Sequence, residues 1–556
     1  MTEAKHGFKT YLPLYIVPAL AAFLQLLYFY IINCRELGPG FPIDDAYIFR
    51  QYAENLAGGH GFVFNFGETS FGGTSLVWPV FIAAVLRLFG NPAYVPAVFW
   101  TGGALFILTA VLTAFIVKRT RGTVLPATVA GLLIAASPLL FMNAVSGMET
   151  PLTMFLVAAF AAIALKDSSR PALAGAVAGL YTLNRPEGLY FPVGFLIAWL
   201  IVLLFAKKRP AVIPLAKFLA GWAILALPAA LWIYMETGSP LPTTYMGKIM
   251  STSPGELERG MVHRLLSGLF SLGSGWIKLS LRLRALSMVF AAGILWETGN
   301  VLRGLRQEGP TSWPALAKLV LLGYLFLPLA YGLSFPVGPE FGGYYIRYIA
   351  PVLVPVIILG TNGCVAIARA IKGKQKTLDA WYRPASAIIG LVVLVYGGWL
   401  WSFQIAYAKT DYKREVRLNT GLRMEAARWL KQNTTKDARV MAGYTGLGVI
   451  GACSDRYVLD QGALINPDIF DYYRKAGAHP RKKWKMVVRY MHDKNLDYYV
   501  TFAFPADLAE IYPDPADTPG FREVKRLGKK DRPVTRLSQI RIYKADWEEW
   551  EEEEER

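Results

Sequence analysis

Cysteine is nearly absent: the 556 residues contain only Cys34, Cys364 and Cys453, widely scattered. That excludes a disulfide framework and a cysteine-based zinc site. Charge is also scarce, at 18% of residues against about 25% in a soluble globular domain. The deficit is uneven. Before Lys409 there are 30 basic and 16 acidic residues, whereas the 148 residues from Lys409 onward hold 28 and 24. A purely soluble enzyme and a disordered chain are therefore both excluded. The chain reads as a long apolar part, 1–408, followed by a short polar part, 409–556.

What is abundant is apolar residues, 54% of the chain. A spanning helix needs about 20 of them in a row. Candidates are 11–32, 95–117, 123–142, 149–165, 171–183, 188–206, 211–234, 284–302, 314–335, 349–371 and 385–407, eleven in all. The first is too long for a cleaved signal peptide, and no small-residue cleavage site follows it. Residues 76–90 are short and contain Pro79 and Arg87, so they are expected to lie at the membrane interface or re-enter it.

The net charge of +18 does not point to nucleic acid. Most of it lies in short clusters between apolar runs: Lys5/Lys9, Lys118/Arg119/Arg121, Lys166/Arg170, Lys207/Lys208/Arg209, Arg303/Arg306 and Arg369–Lys376. With a cytoplasmic N-terminus and eleven spans, all six clusters fall inside, as bilayer orientation requires. Lys278, Arg282 and Arg284 break this rule and make the eighth span the weakest. The expectation is a multi-pass cell (inner) membrane protein whose loops 33–94, 143–150, 184–188, 235–283 and 336–348 face outward, together with 409–556.

The polar part is expected to be a small α/β domain. Residues 411–432 have helical spacing, 439–442 and 457–459 read as strands, 481–494 as a helix and 498–502 as a strand. Gly446, Gly448 and Gly451 do not read as a dinucleotide fingerprint after a clean strand and are taken as turn glycines. The Glu-rich stretch 547–556 reads as a solvated tail or frayed helix.

Ionisable residues at the outer ends of the spans are costly to keep there, which makes them candidate site residues. Asp44 and Asp45 are adjacent carboxylates that suit a general base; the alternative is a helix N-cap for 46–56. Glu149 suits a site or a helix start. Arg185 suits a phosphate oxygen, or pairs locally with Glu187. Lys248 and Arg347 suit the same anion or snorkel toward headgroups. His60, in a Gly-rich loop, reads mainly as a loop residue with a ligand role as the alternative. No His/Cys/carboxylate spacing demands zinc.

Several of these motifs resemble a known family. Asp44–Leu56 (DDAYIFRQYAENL), Gly58–Asn65 (GGHGFVFN), Gly72-Gly73-Thr74-Ser75, Ser146–Thr150, Asn184–Gly188 and Leu241–Lys248 together resemble the GT-C superfamily of polyprenyl-phosphate-sugar glycosyltransferases. Within it, the mycobacterial terminal arabinofuranosyltransferase branch is closest in look; the lipid A aminoarabinose transferase and protein mannosyltransferases show a similar order. The likeness covers residues 1–350. It implies a polytopic α-helical membrane protein with a C-terminal extracytoplasmic α/β domain. The implied activity is inverting transfer of a sugar, arabinofuranose among the candidates, from a polyprenyl-phosphate donor to an envelope glycan or lipid. Asp44 would be the base, with Asp45 its neighbour. Glu149, where relatives commonly have Asp, and Asn184, where Thr is commoner, depart from the pattern. Some relatives need a divalent cation and others do not, so metal use is left open. The alternative function is a transporter or flippase of lipid-linked sugars, which would place charges nearer midplane.

Overall fold

A computed structural model describes residues 2–37, 40–165, 170–205, 212–238, 284–306, 312–327, 347–372, 412–443, 445–476, 480–505, 512–528 and 538–555, with the single residues 402, 406 and 410. The chain forms two compact units. One is Met1–Cys34, Phe99–Ala229 and Met261–Lys409; the other is Arg35–Val98, Ala230–Gly260 and Thr410–Arg556.

The first unit is helical. Five described helices are long and apolar enough to cross a membrane: Leu14–Asn33, Asn91–Arg121, Pro186–Leu204, Val212–Thr237 and Arg347–Ile371. Val124–Ala136 and Pro138–Ala144 make a sixth if taken as one span, bent by 58°. Pro138 explains the break, since it cannot continue the hydrogen-bond ladder behind it. The eleven expected spans are not reached among the described residues. Helices stand at 150–164, 171–184 and 313–324 but are only 15, 14 and 12 residues long. Arg284–Arg306 is a 23-residue helix that carries Glu297 inside it. The expected span 385–407 lies outside the described residues, apart from 402 and 406.

Small residues set the helix crossings, as lipid-embedded packing favours. A Cβ on Gly363 would sit 1.9 Å from the Gly293 carbonyl oxygen, so Arg284–Arg306 and Leu353–Lys372 touch backbone to backbone. Beside that crossing, buried Glu297 pairs with Arg121 and, at 2.9 Å, with Lys318. Three helices are thereby tied through one carboxylate.

The second unit is built around a five-stranded sheet in the order β2-β1-β3-β5-β4. The strands are β1 Arg439–Ala442, β2 Tyr457–Asp460, β3 Tyr498–Phe502, β4 Phe521–Gly528 and β5 Gln539–Ala545. β1 is parallel to β2 and β3, and β5 is antiparallel to β3 and β4. The parallel strands are almost fully buried, which is why they read as continuous apolar runs. β4 and β5 were not foreseen; β4 carries charges on a mostly exposed run. The helical stretch 411–432 is interrupted by a π-helical turn, Leu418–Arg423. The Glu-rich end is not merely a solvated tail: Trp547–Glu555 is a helix whose Trp550 is buried and whose Trp547 Nε1 donates to the Leu496 carbonyl at 3.2 Å.

The segment Arg35–Val98 belongs to this same unit. Asn65 splices it onto the sheet edge: its side-chain amide donates to Val458 O at 2.9 Å and its oxygen accepts from Val458 N at 3.0 Å. Asn419 donates to Phe41 O at 2.8 Å. Residues 76–90 hold the helix Val77–Phe89, about 20 Å long and too short for a hydrocarbon core of about 30 Å. Its exposed side shows Val80, Leu88 and Phe89.

Candidate functional site

Asp44 precedes the helix Asp45–Ala57 but does not cap it with its side chain. Only its backbone oxygen serves that helix, accepting from Tyr47 N at 2.9 Å. The carboxylate turns instead to the start of another helix, Leu447–Ser454. Oδ2 accepts from Gly448 N at 2.7 Å and Oδ1 from Val449 N at 3.0 Å. Arg423 Nε lies 3.8 Å from Oδ1, and both side chains are 12% exposed. The N-cap residue of that helix is Gly446, and the Asp44 carboxylate supplies the acceptor for its first amides from 404 residues away in sequence.

This pairing corrects the turn-glycine reading of 446–451. Gly446-Leu447-Gly448-Val449-Ile450-Gly451 has the spacing of a dinucleotide fingerprint, follows β1, opens a helix and leads into parallel β2. Its amides bind an anion as such loops do, but that anion is the chain's own carboxylate. A Cβ on Gly446 would lie 2.4 Å from Asp44 Oδ2, one on Gly448 2.0 Å from Asp44 O, and one on Gly451 2.3 Å from Phe64. All three glycines are spaces for the 35–98 segment.

Burial pushes the Asp44 carboxyl above the ordinary range, and Arg423 and the two amides pull against it. The neighbouring Asp45 carboxylate repels the Asp44 charge and raises that carboxyl further; Asp45 is half-buried at the start of its helix. Asp460, at the end of β2, is buried and pushed to about 7, chiefly by desolvation, with Asp45 contributing. Its oxygen accepts from Leu464 N at 3.0 Å and Ile465 N at 3.3 Å. His60 is exposed, its ring 4.6 Å from that of Phe66. Among the described residues no three His, Cys, Asp or Glu side chains are grouped to hold a metal ion.

The first unit holds the other named residues. Arg185 is 2% exposed. Its Nη1 donates to Glu149 Oε1 at 2.6 Å, its Nη2 to Glu187 Oε1 at 2.9 Å and its Nε to Glu187 Oε2 at 3.3 Å. The fork to Glu187 is the bidentate geometry that favours arginine. Gly188 makes the turn possible, since a Cβ there would lie 2.2 Å from Thr182 N. The Arg185 guanidinium carbon stands 4.6 Å from the ring centre of Tyr348, and that of Arg347 stands 5.1 Å from it. Arg347, also buried, donates to the Tyr348 hydroxyl at 3.1 Å. Two arginines and two carboxylates thus balance in one cluster. Lys248 lies outside the described residues.

Beside this cluster, Tyr190–Phe205 and Trp313–Tyr324 enclose an apolar groove of about 400 Å³. Leu189, Val193, Ile197, Val320, Gly323 and Tyr324 are among its lining residues.

Sequence reasoning missed Arg423, Gly448, Val449 and Asp460. The glycine spacing directly after a strand was the available signal for the middle two; nothing local marked Arg423.

Comparison with known proteins supports the architecture. A domain of unknown function (DUF8728) matches residues 407–552. No curated protein matches. Among solved structures, the chain is similar to ArnT from Cupriavidus metallidurans bound to undecaprenyl phosphate, with TM-score 0.55 and 12% identity over 97% of this chain and 98% of that one. It is also similar to the Archaeoglobus fulgidus oligosaccharyltransferase tethered with an acceptor peptide, with TM-score 0.53 and 14% identity over 89% and 69%. These likenesses show a shared fold.

Proposed function

We propose that the protein is a membrane glycosyltransferase that moves a sugar from a polyprenyl-phosphate donor to a hydroxyl of an envelope glycan or lipid, with inversion, on the extracytoplasmic face. Arabinofuranose is the first sugar to test. The observation that carries this reading is Asp44: a nearly buried carboxylate, fixed by two amides and an arginine, in the acidic pair whose motif resembles that family's base. The acceptor hydroxyl gives its proton to Asp44 as its oxygen bonds to the anomeric carbon. The bond from that carbon to the phosphate oxygen breaks, and polyprenyl phosphate leaves with the electron pair.

In the first unit, Arg347 and Arg185 are assigned to the donor phosphate, with Glu149 and Glu187 holding Arg185 in its orientation. Lys248 is assigned to the same anion from its motif alone. The apolar groove along Tyr190–Phe205 suits an isoprenoid tail, whose surface has no polar group to satisfy. Residues 1–408 are assigned to the catalytic membrane part and 409–556 to an extracytoplasmic part.

The test is transfer in membranes from a panel of radiolabelled polyprenyl-phosphate sugars, arabinofuranose first. Asp44→Ala should lower the rate by about 10²–10⁴-fold in a protein that remains folded. Full activity in Asp44→Ala would remove the base assignment. No transfer from any donor by folded wild type would remove the enzyme reading.

A further inference from the structure

We infer that Arg423 and the amide end of Leu447–Ser454 form a built-in counter-charge for Asp44, so that the C-terminal region sets the aim and the protonation of the base. This rests on the base assignment above and deepens it. Arg423 acts through Asp44 and is a positioning residue.

The apparatus has three parts. The amides of Gly448 and Val449 each take one carboxylate oxygen, which fixes the plane of the carboxylate. Arg423 lies 3.8 Å from Oδ1 and supplies the charge. Arg423 is itself held: Nε donates to the Thr445 carbonyl, Nη1 donates to Asn419 Oδ1 at 2.5 Å, and the guanidinium carbon lies 5.3 Å from the ring centre of Phe502. It ends the π-helical turn Leu418–Arg423, an irregularity that recurs at functional sites. The same turn sends Asn419 to Phe41 O, three residues before Asp44. One turn thus grips the loop's backbone and its carboxylate together.

The groups that act on Asp44 can be named. Arg423 lowers its proton affinity and Asp45, on its own helix, raises it. Tyr47 on that helix and Cys453 on Leu447–Ser454 are in electrostatic reach. Arg423 is the cation that acts on Asp44; Arg50, on the Asp45–Ala57 helix, acts on Tyr47 and Cys453, and Arg428 on Cys453. Removing Arg423 leaves burial opposed by the amides alone, so the Asp44 carboxyl keeps its proton to higher pH.

The experiment is the pH dependence of kcat for purified full-length protein in lipid nanodiscs, with the donor found in the panel above. Arg423→Gln should move the acid limb up by about one pH unit or more, with activity recovering at higher pH and KM for the donor unchanged. Arg423→Lys, which keeps the charge, should stay within about half a unit of wild type. Val449→Pro is the second variant: it removes one N–H donor in a helix's first turn, where proline is tolerated, and should move the limb the same way. An acid limb unmoved in both folded Arg423→Gln and Val449→Pro, with Asp44→Ala inactive, would overturn this inference and leave the base assignment standing. A fully active Asp44→Ala would instead remove the base assignment itself.

Discussion

At the scale of single residues, the decisive fact is which partner each charge finds. The pairing of Arg185 with Glu187 was readable because they lie two positions apart. Glu149 is 36 residues from Arg185 and no periodicity joins them; only the fold does. Arg185→Ala should cost about 3–5 kcal/mol, because it strands buried carboxylates. Arg185→Lys should recover little of it, since an ammonium cannot fork to Glu187 and reach Glu149 at once. Thermal melts in detergent read this, and a lysine variant as stable as wild type would contradict it. Asp460 gives a pH prediction. Its carboxyl holds its proton to about pH 7 in the folded chain, against 3.8 ordinarily. Its stabilising contribution is therefore full below about pH 4 and lost as pH rises through 7. Asp460→Asn keeps an acceptor for Leu464 and Ile465 without the charge. Its melting temperature should exceed that of wild type by more at pH 8 than at pH 5; an equal gap at both would contradict this.

At the scale of elements, helices with long apolar runs were legible, because hydropathy alone specifies them. The three helices too short for a span, 150–164, 171–184 and 313–324, and the longer Arg284–Arg306 were visible in position but not in character. Glu297 shows why: 284–302 reads as a span in sequence although it carries this carboxylate, and Arg121 and Lys318 neutralise it only in three dimensions. Glu297→Ala should leave two cations facing the vacated site and lower the melting temperature. The groove between Tyr190–Phe205 and Trp313–Tyr324 gives a functional prediction. Nothing lies within 4 Å of a Cβ added at Gly323, so a larger side chain there enters open space. Gly323→Phe should raise KM for a long-chain donor several-fold with little change in melting temperature, and an unchanged KM would count against the groove as a tail site. The helix Val77–Phe89 was foreseen as a short non-spanning element, and its 13 residues agree.

At the scale of the whole molecule, the shift in charge density near residue 409 was legible, and so were three of the five strands. The membership of 35–98 in the second unit was not, because hydrogen bonds such as Asn65 to Val458 span 393 residues. The charge-derived orientation makes its own prediction. A cysteine placed at exposed Glu551 should react with a membrane-impermeant thiol reagent in intact cells, and one at Lys118 only after permeabilisation. The opposite pattern would invert the topology. The bond from Gly448 to Asp44 closes a loop of 404 residues, which also bears on synthesis. Arg423 is made only after 378 residues have followed Asp44, and the amides of Gly448 and Val449 come later still. A chain released early would carry the whole Asp44–Leu56 motif and yet leave that carboxylate unanchored, so competence arrives only near the end of translation.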